Sequence, residues 1–133
     1  MSIKIEYSDR YSQASTYHHL GILAKQLREW EEARNYYQQA LSIYIGYSDR
    51  YSQARTYYGL GKVAEGIGNP EDAKNYYLQA LQIWVEFNDQ YWVENSVENL
   101  QRFYQETADE SILEAVASMF GVGVEEIRTM FND

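Results

Sequence analysis

The stretch Tyr7-Ser-Asp-Arg-Tyr-Ser-Gln-Ala14 returns unchanged as Tyr47-Ser-Asp-Arg-Tyr-Ser-Gln-Ala54. Working outward from it, Tyr7 to Gly46 matches Tyr47 to Glu86 at 22 of 40 positions, so the chain carries an internal repeat with a period of 40 residues. A third, weaker copy begins at Phe87, where Asn88, Asp89 and Gln90 replace Ser48, Asp49 and Arg50, and then drifts. Ile3 and Ile5 fall one period before Ile43 and Ile45, so residues 1–6 read as the end of a preceding unit. The chain is therefore expected to start inside an array, as a fragment or as a naturally short array.

Within each period the apolar residues recur at helical rather than strand spacing. In unit one, Ala14, Tyr17, Leu20, Gly21, Ala24 and Leu27 mark a first helix, and Trp30, Ala33, Tyr37, Ala40, Leu41 and Tyr44 mark a second. Unit two repeats this with Tyr57, Leu60, Gly61 and Ala64, then Ala73, Tyr77, Ala80, Leu81 and Trp84. Each unit is thus a hairpin of two amphipathic helices. Gly68-Asn69-Pro70-Glu71-Asp72 is the clearest turn: glycine takes the left-handed position, Asn69 caps, Pro70 suits the first helical position and two acids favour the positive helix end. Arg28 stands where unit two has Gly68, and a left-handed backbone there would cost about 1 kcal/mol relative to glycine. Ser8-Asp9, Ser48-Asp49 and Asn88-Asp89 read as start signals for the first helix of each unit.

With 133 residues, 45% of them apolar, there is room for one domain with a real core. Its expected parts are residues 1–6 as the end of an earlier repeat, 7–46 and 47–86 as full repeats, 87–121 as a degenerate third and 122–133 as a C-terminal capping helix. Lys+Arg 11 against Asp+Glu 20 gives a net charge of −9, the wrong sign for gaining affinity by neutralising phosphates, which argues against nucleic acid and anionic membranes. The absence of cysteine rules out disulfide staples, thiolate zinc sites and cysteine nucleophiles. Without a leader pattern or an apolar run near the roughly 18 residues that span a bilayer, a cytoplasmic protein is expected.

Catalytic material is equally thin. His18 and His19 are adjacent on a helix, about 100° apart, so they do not share a metal. Glu31-Glu32, Glu71-Asp72 and Glu125-Glu126 each sit in a first helical turn, where the dipole favours them. Gly121-Val122-Gly123 lacks the following Lys and Ser of a phosphate loop. The reading is of a non-enzyme without cofactor or metal.

The spacing Tyr17, Leu20, Gly21, Ala24, Ala33, Tyr37, Ala40, and the better match Tyr57, Leu60, Gly61, Ala64, Gly68, Ala73, Tyr77, Ala80, resembles the tetratricopeptide repeat signature. The usual period is 34, and the six extra residues resemble the longer-helix arrays of kinesin light chain and Pins-type adaptors; similar arrays form the C-terminal sensor regions of bacterial STAND-type ATPases. The small residues let helix axes approach closely while Tyr37 and Tyr77 fill the space beyond. The resemblance implies an all-α solenoid of stacked helix-turn-helix hairpins, whose concave side is lined by the first helix of each unit. In that register the groove residues are Ser15, His18, Ile22 and Lys25; Arg55, Tyr58, Lys62 and Glu65; and Asn95, Glu98, Arg102 and Gln105. Arg55, Lys62 and Arg102 would attract a short acidic or mixed peptide. The clamp with which chaperone-binding members hold a C-terminal carboxylate is absent, since its positions hold His18 and Ile22, then Gly59, then Asn95 and Asn99.

Beyond unit three, Thr107 to Glu110 has capping-box spacing and leads into Ile112, Leu113, Val116 and Phe120 at helical steps, stopped by Gly121. A last helix from Val124 to Phe131 is expected, with Val124, Ile127, Met130 and Phe131 as an apolar stripe that covers the array or docks on another chain. At the other end, an uncovered face around Tyr11, Tyr17 and Leu20 would allow homo-oligomers. The resulting expectation is a protein-protein interaction module, an adaptor or sensor that binds a peptide or partner protein in its concave groove. The alternatives are a self-assembling fragment and a regulatory C-terminal arm of a larger signalling ATPase.

Overall fold

A computed structural model describes the backbone of residues 2–133 and the side chains of residues 9–133. Seven helices follow one another: α1 (Ser2–Gln26), α2 (Trp30–Gly46), α3 (Arg50–Ile67), α4 (Pro70–Glu86), α5 (Gln90–Thr107), α6 (Glu110–Phe120) and α7 (Val124–Asn132). No strand occurs among the described residues. Every helix packs on the next, and α1 also meets α3, α4 meets α6 and α5 meets α7. The fold is an all-α solenoid with the odd-numbered helices forming one wall.

One device makes all six reversals. Each has a residue with positive φ: Arg28 (60°), Ser48 (57°), Gly68 (89°), Asn88 (54°), Ala108 (54°) and Gly121 (67°). At five of them the following N–H reaches back five residues, as from Glu29 to Ala24 (2.9 Å), Asp49 to Tyr44 (2.9 Å) and Asn69 to Ala64 (2.8 Å), which satisfies carbonyls the helix end leaves open. Asp49, Asn69, Asp89 and Asp109 then cap the next helix, accepting from the backbone N–H of Ser52, Asp72, Trp92 and Ser111.

Two expected boundaries differ. Helix α1 runs straight through Ser8-Asp9; a start signal is a preference worth about 1 kcal/mol, and only at Asp49 and Asp89 does a left-handed residue just before it break the preceding helix. The capping box at Thr107 does not form. Thr107 Oγ1 donates to the Phe103 carbonyl (2.7 Å) instead, and the shorter-reaching Asp109 caps α6. The reading of Ile3 and Ile5 as an earlier unit falls outside the described side chains.

Ring packing repeats with the period. Tyr17 stacks on Tyr36 at 6.4 Å and Tyr57 on Tyr76 at 6.3 Å, with nearly equal tilts of 26° and 29°. The Tyr11 hydroxyl donates to Asp49, and that of Tyr51 donates to Asp89 at 2.8 Å, so one unit is pinned to the cap of the next in the same way twice. Tyr37 lies between the backbones of Gly21 on α1 and Gly59 on α3, where an added Cβ would come within 2.9 and 2.6 Å of its ring. Tyr77 fits against Gly61 equally tightly, at 2.6 Å. The glycines of the pattern are there to admit the tyrosine of the facing helix. At the C-terminal end, Tyr77, Leu81, Leu100, Leu113, Val116, Ile127 and Phe131 form a shared core, with Phe131 fully enclosed.

Candidate ligand groove

The wall of odd-numbered helices carries a cavity of about 200 Å³ lined by His18, Ile22 and Lys25 of α1, Arg55, Tyr58 and Gly59 of α3, Trp92 of α5, and Tyr37 and Trp84 from behind. At Gly59 the Tyr37 ring packs directly on the α3 backbone, in the space a side chain would take. Its floor is aromatic: Trp84 and Trp92 stack at 5.4 Å and 17°, and Tyr58 meets Trp92 edge-on at 5.2 Å.

Two of its polar groups are cationic. Arg55 is exposed and Lys25 half-buried, and neither has an ion-pair partner among the described residues. Burial, and then the nearby Lys62, lowers the Lys25 pKa below the usual lysine value. An anion placed there would relieve both effects. Trp84, fully buried, has an indole N–H without an acceptor, a deficit that costs about 1–3 kcal/mol unless a partner fills it.

His18 departs from its expected exposure, for it is only 6% exposed. Its Nδ1 lies 3.2 Å from Thr56 Oγ1. That hydroxyl already donates to the Ser52 carbonyl (3.0 Å), so it accepts from Nδ1–H, a bond open to the neutral and the protonated ring alike. Burial, reinforced by Arg55, pushes the His18 pKa down to about 4.

The remaining groove residues divide. Lys62, Glu65 and Arg102 form a self-satisfied cluster. Arg102 pairs with Glu65 at 2.9 Å, Lys62 approaches Glu65 at 4.0 Å and donates to Asn99 at 3.3 Å, and the Tyr77 hydroxyl donates to Glu65. Burial and that bond both raise the Tyr77 pKa. The expected cationic wall of Arg55, Lys62 and Arg102 is thereby corrected. Lys62 and Arg102 share Glu65, with Glu106 as a second partner of Arg102, whereas Arg55 and Lys25 have no ion pair among the described residues. Gln105 donates to the Phe131 carbonyl at 2.9 Å and holds α7 in place, while Glu98 faces a separate cleft beside α7. Ser15 is exposed at the edge, and Asn95 bonds the Tyr91 carbonyl of its own helix at 3.2 Å.

Sequence reasoning missed Trp84 and Trp92. The signal for Trp92 was present: its counterparts Ser12 and Ser52 are both serine, so a large ring replaces a small hydroxyl at one helix position. Among the described residues no group of three or more His, Asp or Glu is placed to hold a metal ion, and no helix is long and apolar enough to cross a membrane. A tetratricopeptide repeat family model matches residues 12–84. A search of curated proteins gives no match.

Proposed function

Because the chain belongs to the tetratricopeptide repeat family, whose repeats are in general non-catalytic scaffolds that bind protein partners, we propose that it is an adaptor or sensor module that takes an acidic or mixed peptide segment on its concave wall. The observation that carries this reading is the aromatic cavity in which Lys25 and Arg55 have no ion-pair partner among the described residues. A carboxylate entering it meets two cations in a partly desolvated site, where an ion pair is worth more than on open surface. The rings of Tyr58 and Trp92 offer apolar area to the neighbouring side chains. The work is done by shape and charge, with no bond made or broken.

Anisotropy of a labelled Glu/Leu peptide tests the reading. Arg55→Glu and Lys25→Glu are each expected to weaken binding about tenfold, the effect of one lost and one reversed charge contact. Arg34→Glu, on an exposed residue already paired with Glu31 at 2.5 Å, is the control of equal charge change. Equal weakening by Arg34→Glu and Arg55→Glu would mean that only net charge is felt and that the cavity takes no part.

A further inference from the structure

Helix α6 has 11 residues where α2 and α4 have 17, and Gly121 ends it. At a rise of about 1.5 Å per residue, the shortfall leaves roughly 9 Å of α5 without the cover that its counterparts receive. The tyrosines register the loss. Tyr11 packs on Tyr44 and Tyr47, and Tyr51 packs on Trp84 and Phe87. Tyr91, one period later, meets the ring of its chain neighbour Trp92 and is 66% exposed.

Helix α7 does not fill the gap. It is tied further along α5, where Gln101 and Gln105 both donate to the Phe131 carbonyl. Between α5, the end of α6 and α7 lies a cleft of about 460 Å³. Its floor includes Val97, Phe120 and Met130, the last two 39% and 43% exposed. Its rim carries Glu94, Glu98 and Glu126. These three carboxylates have no cation partner among the described residues, whereas nearby Glu110 and Glu125 share Arg128, and Glu106 has Arg102.

We infer that this cleft docks a basic amphipathic helix of a partner protein. Leucine-sized side chains enter the trough, and flanking Lys or Arg reach the three carboxylates. Glu94 and Glu98 are four residues apart on one helix, the spacing at which a second helix presents successive charges. A helix is also what the missing end of α6 leaves room for. Charge decides against a second copy of this chain as occupant: each copy has Lys+Arg 11 against Asp+Glu 20, and several of its cations, Arg50, Lys74, Arg102 and Arg128 among them, are already paired. The inference uses none of the residues of the concave cavity and stands or falls apart from it.

The probe is a labelled synthetic helix of leucine and lysine with its leucines on one face, titrated into the full chain at physiological ionic strength. Glu94→Gln with Glu98→Gln is expected to weaken binding about tenfold, while Glu29→Gln with Glu32→Gln, an equal charge change on exposed acids of another surface, leaves it nearly unchanged. Methyl resonances of Val97 and Met130 should move on binding, and Arg55→Glu should not weaken it. Equal weakening by the two double variants, or methyl shifts confined to other surfaces, would overturn the inference. So would a mass that rises with concentration in the free protein and returns to the monomer in Phe120→Asp, since the cleft would then belong to a second copy.

Discussion

Replacing Gly59 with alanine tests the packing on which the stacking of unit one against unit two rests. An ideal Cβ at this position would stand 2.6 Å from Cζ, 2.7 Å from Cε1 and 3.0 Å from the hydroxyl oxygen of Tyr37. Carbon atoms in favourable contact are about 3.5–4.0 Å apart, so close to 1 Å must be found. The ring has little freedom to supply it. Tyr37 is 1% exposed, and its far side rests on Gly21, where a Cβ would again lie 2.9 Å away. Either α2 and α3 separate or the ring leaves its rotamer, and such overpacking costs about 1–3 kcal/mol. Alanine's helix propensity returns about 1 kcal/mol, so the expected outcome is a net loss of up to about 2 kcal/mol in urea unfolding followed by far-UV circular dichroism. Gly46→Ala is the control, because nothing lies within 4 Å of a Cβ there, and it should be neutral or slightly stabilising. In a double-mutant cycle, Tyr37→Leu removes the atoms that clash, so adding Gly59→Ala to it should bring no further loss. If Gly59→Ala proved as benign as Gly46→Ala in the wild-type background, the ring would not be held between the two glycines, and the account of unit stacking would fail with it.

Other expectations follow from single residues. Arg28 (φ 60°) and Ala108 (φ 54°) hold left-handed backbone at hairpin turns, so Arg28→Gly and Ala108→Gly should each add up to about 1 kcal/mol, and Gly68→Ala should lose a similar amount; denaturation midpoints check both signs. His18, with its pKa depressed to about 4 in the folded chain against 6.5 as the ordinary value, binds its proton more readily when unfolded. The stability this residue contributes is therefore complete above pH 6.5 and falls as the pH drops toward 4, by about 2 kcal/mol between pH 7 and pH 5. Subtracting the pH profile of His18→Gln isolates this slope, and parallel profiles for the two proteins would show that His18 is solvated.

How far the fold could be read in advance depended on whether the relevant physics was local. The hairpins were legible because the period from Tyr7 to Ala14 and back again at Tyr47 to Ala54 fixes which residues share an environment. The turn at Gly68-Asn69-Pro70 was legible because each residue has a preference strong enough to act alone. Ser48 and Asn88 take left-handed backbone in the same local motif, with the N–H groups of Asp49 and Asp89 bonding the carbonyls of Tyr44 and Trp84, but neither residue marks the position as a glycine does. Groove positions read one helix face at a time give no account of the field between them. Arg102 and Glu65 meet across a sequence separation of 37, so a reading of each helix face by itself counts Arg102 as free. The burial of His18 is set in the same way, by Tyr37 and Thr56 from two other helices.

The two binding surfaces inferred for this molecule share helix α5, with Trp92 on the cavity and Glu94 and Glu98 on the cleft. A net charge of −9 says little about either. At physiological salt a charge is screened within about 8 Å, so a ligand responds to the groups it touches. In the cavity these are Lys25 and Arg55, and at the cleft Glu94, Glu98 and Glu126. A basic segment is repelled by the first surface and an acidic one by the second, so each site rejects the other's ligand through like charge as well as attracting its own. Glu65 completes the separation, because by pairing with Arg102 and Lys62 it keeps two cations of the middle stretch from extending the positive surface along the wall. Removing that carboxylate with Glu65→Gln frees Lys62 next to Tyr58 and leaves Arg102 with Glu106 alone, and the acidic peptide should then bind more tightly while the basic helix at the cleft is left nearly unaffected. Opposite responses would mean that the two surfaces are one electrostatic site.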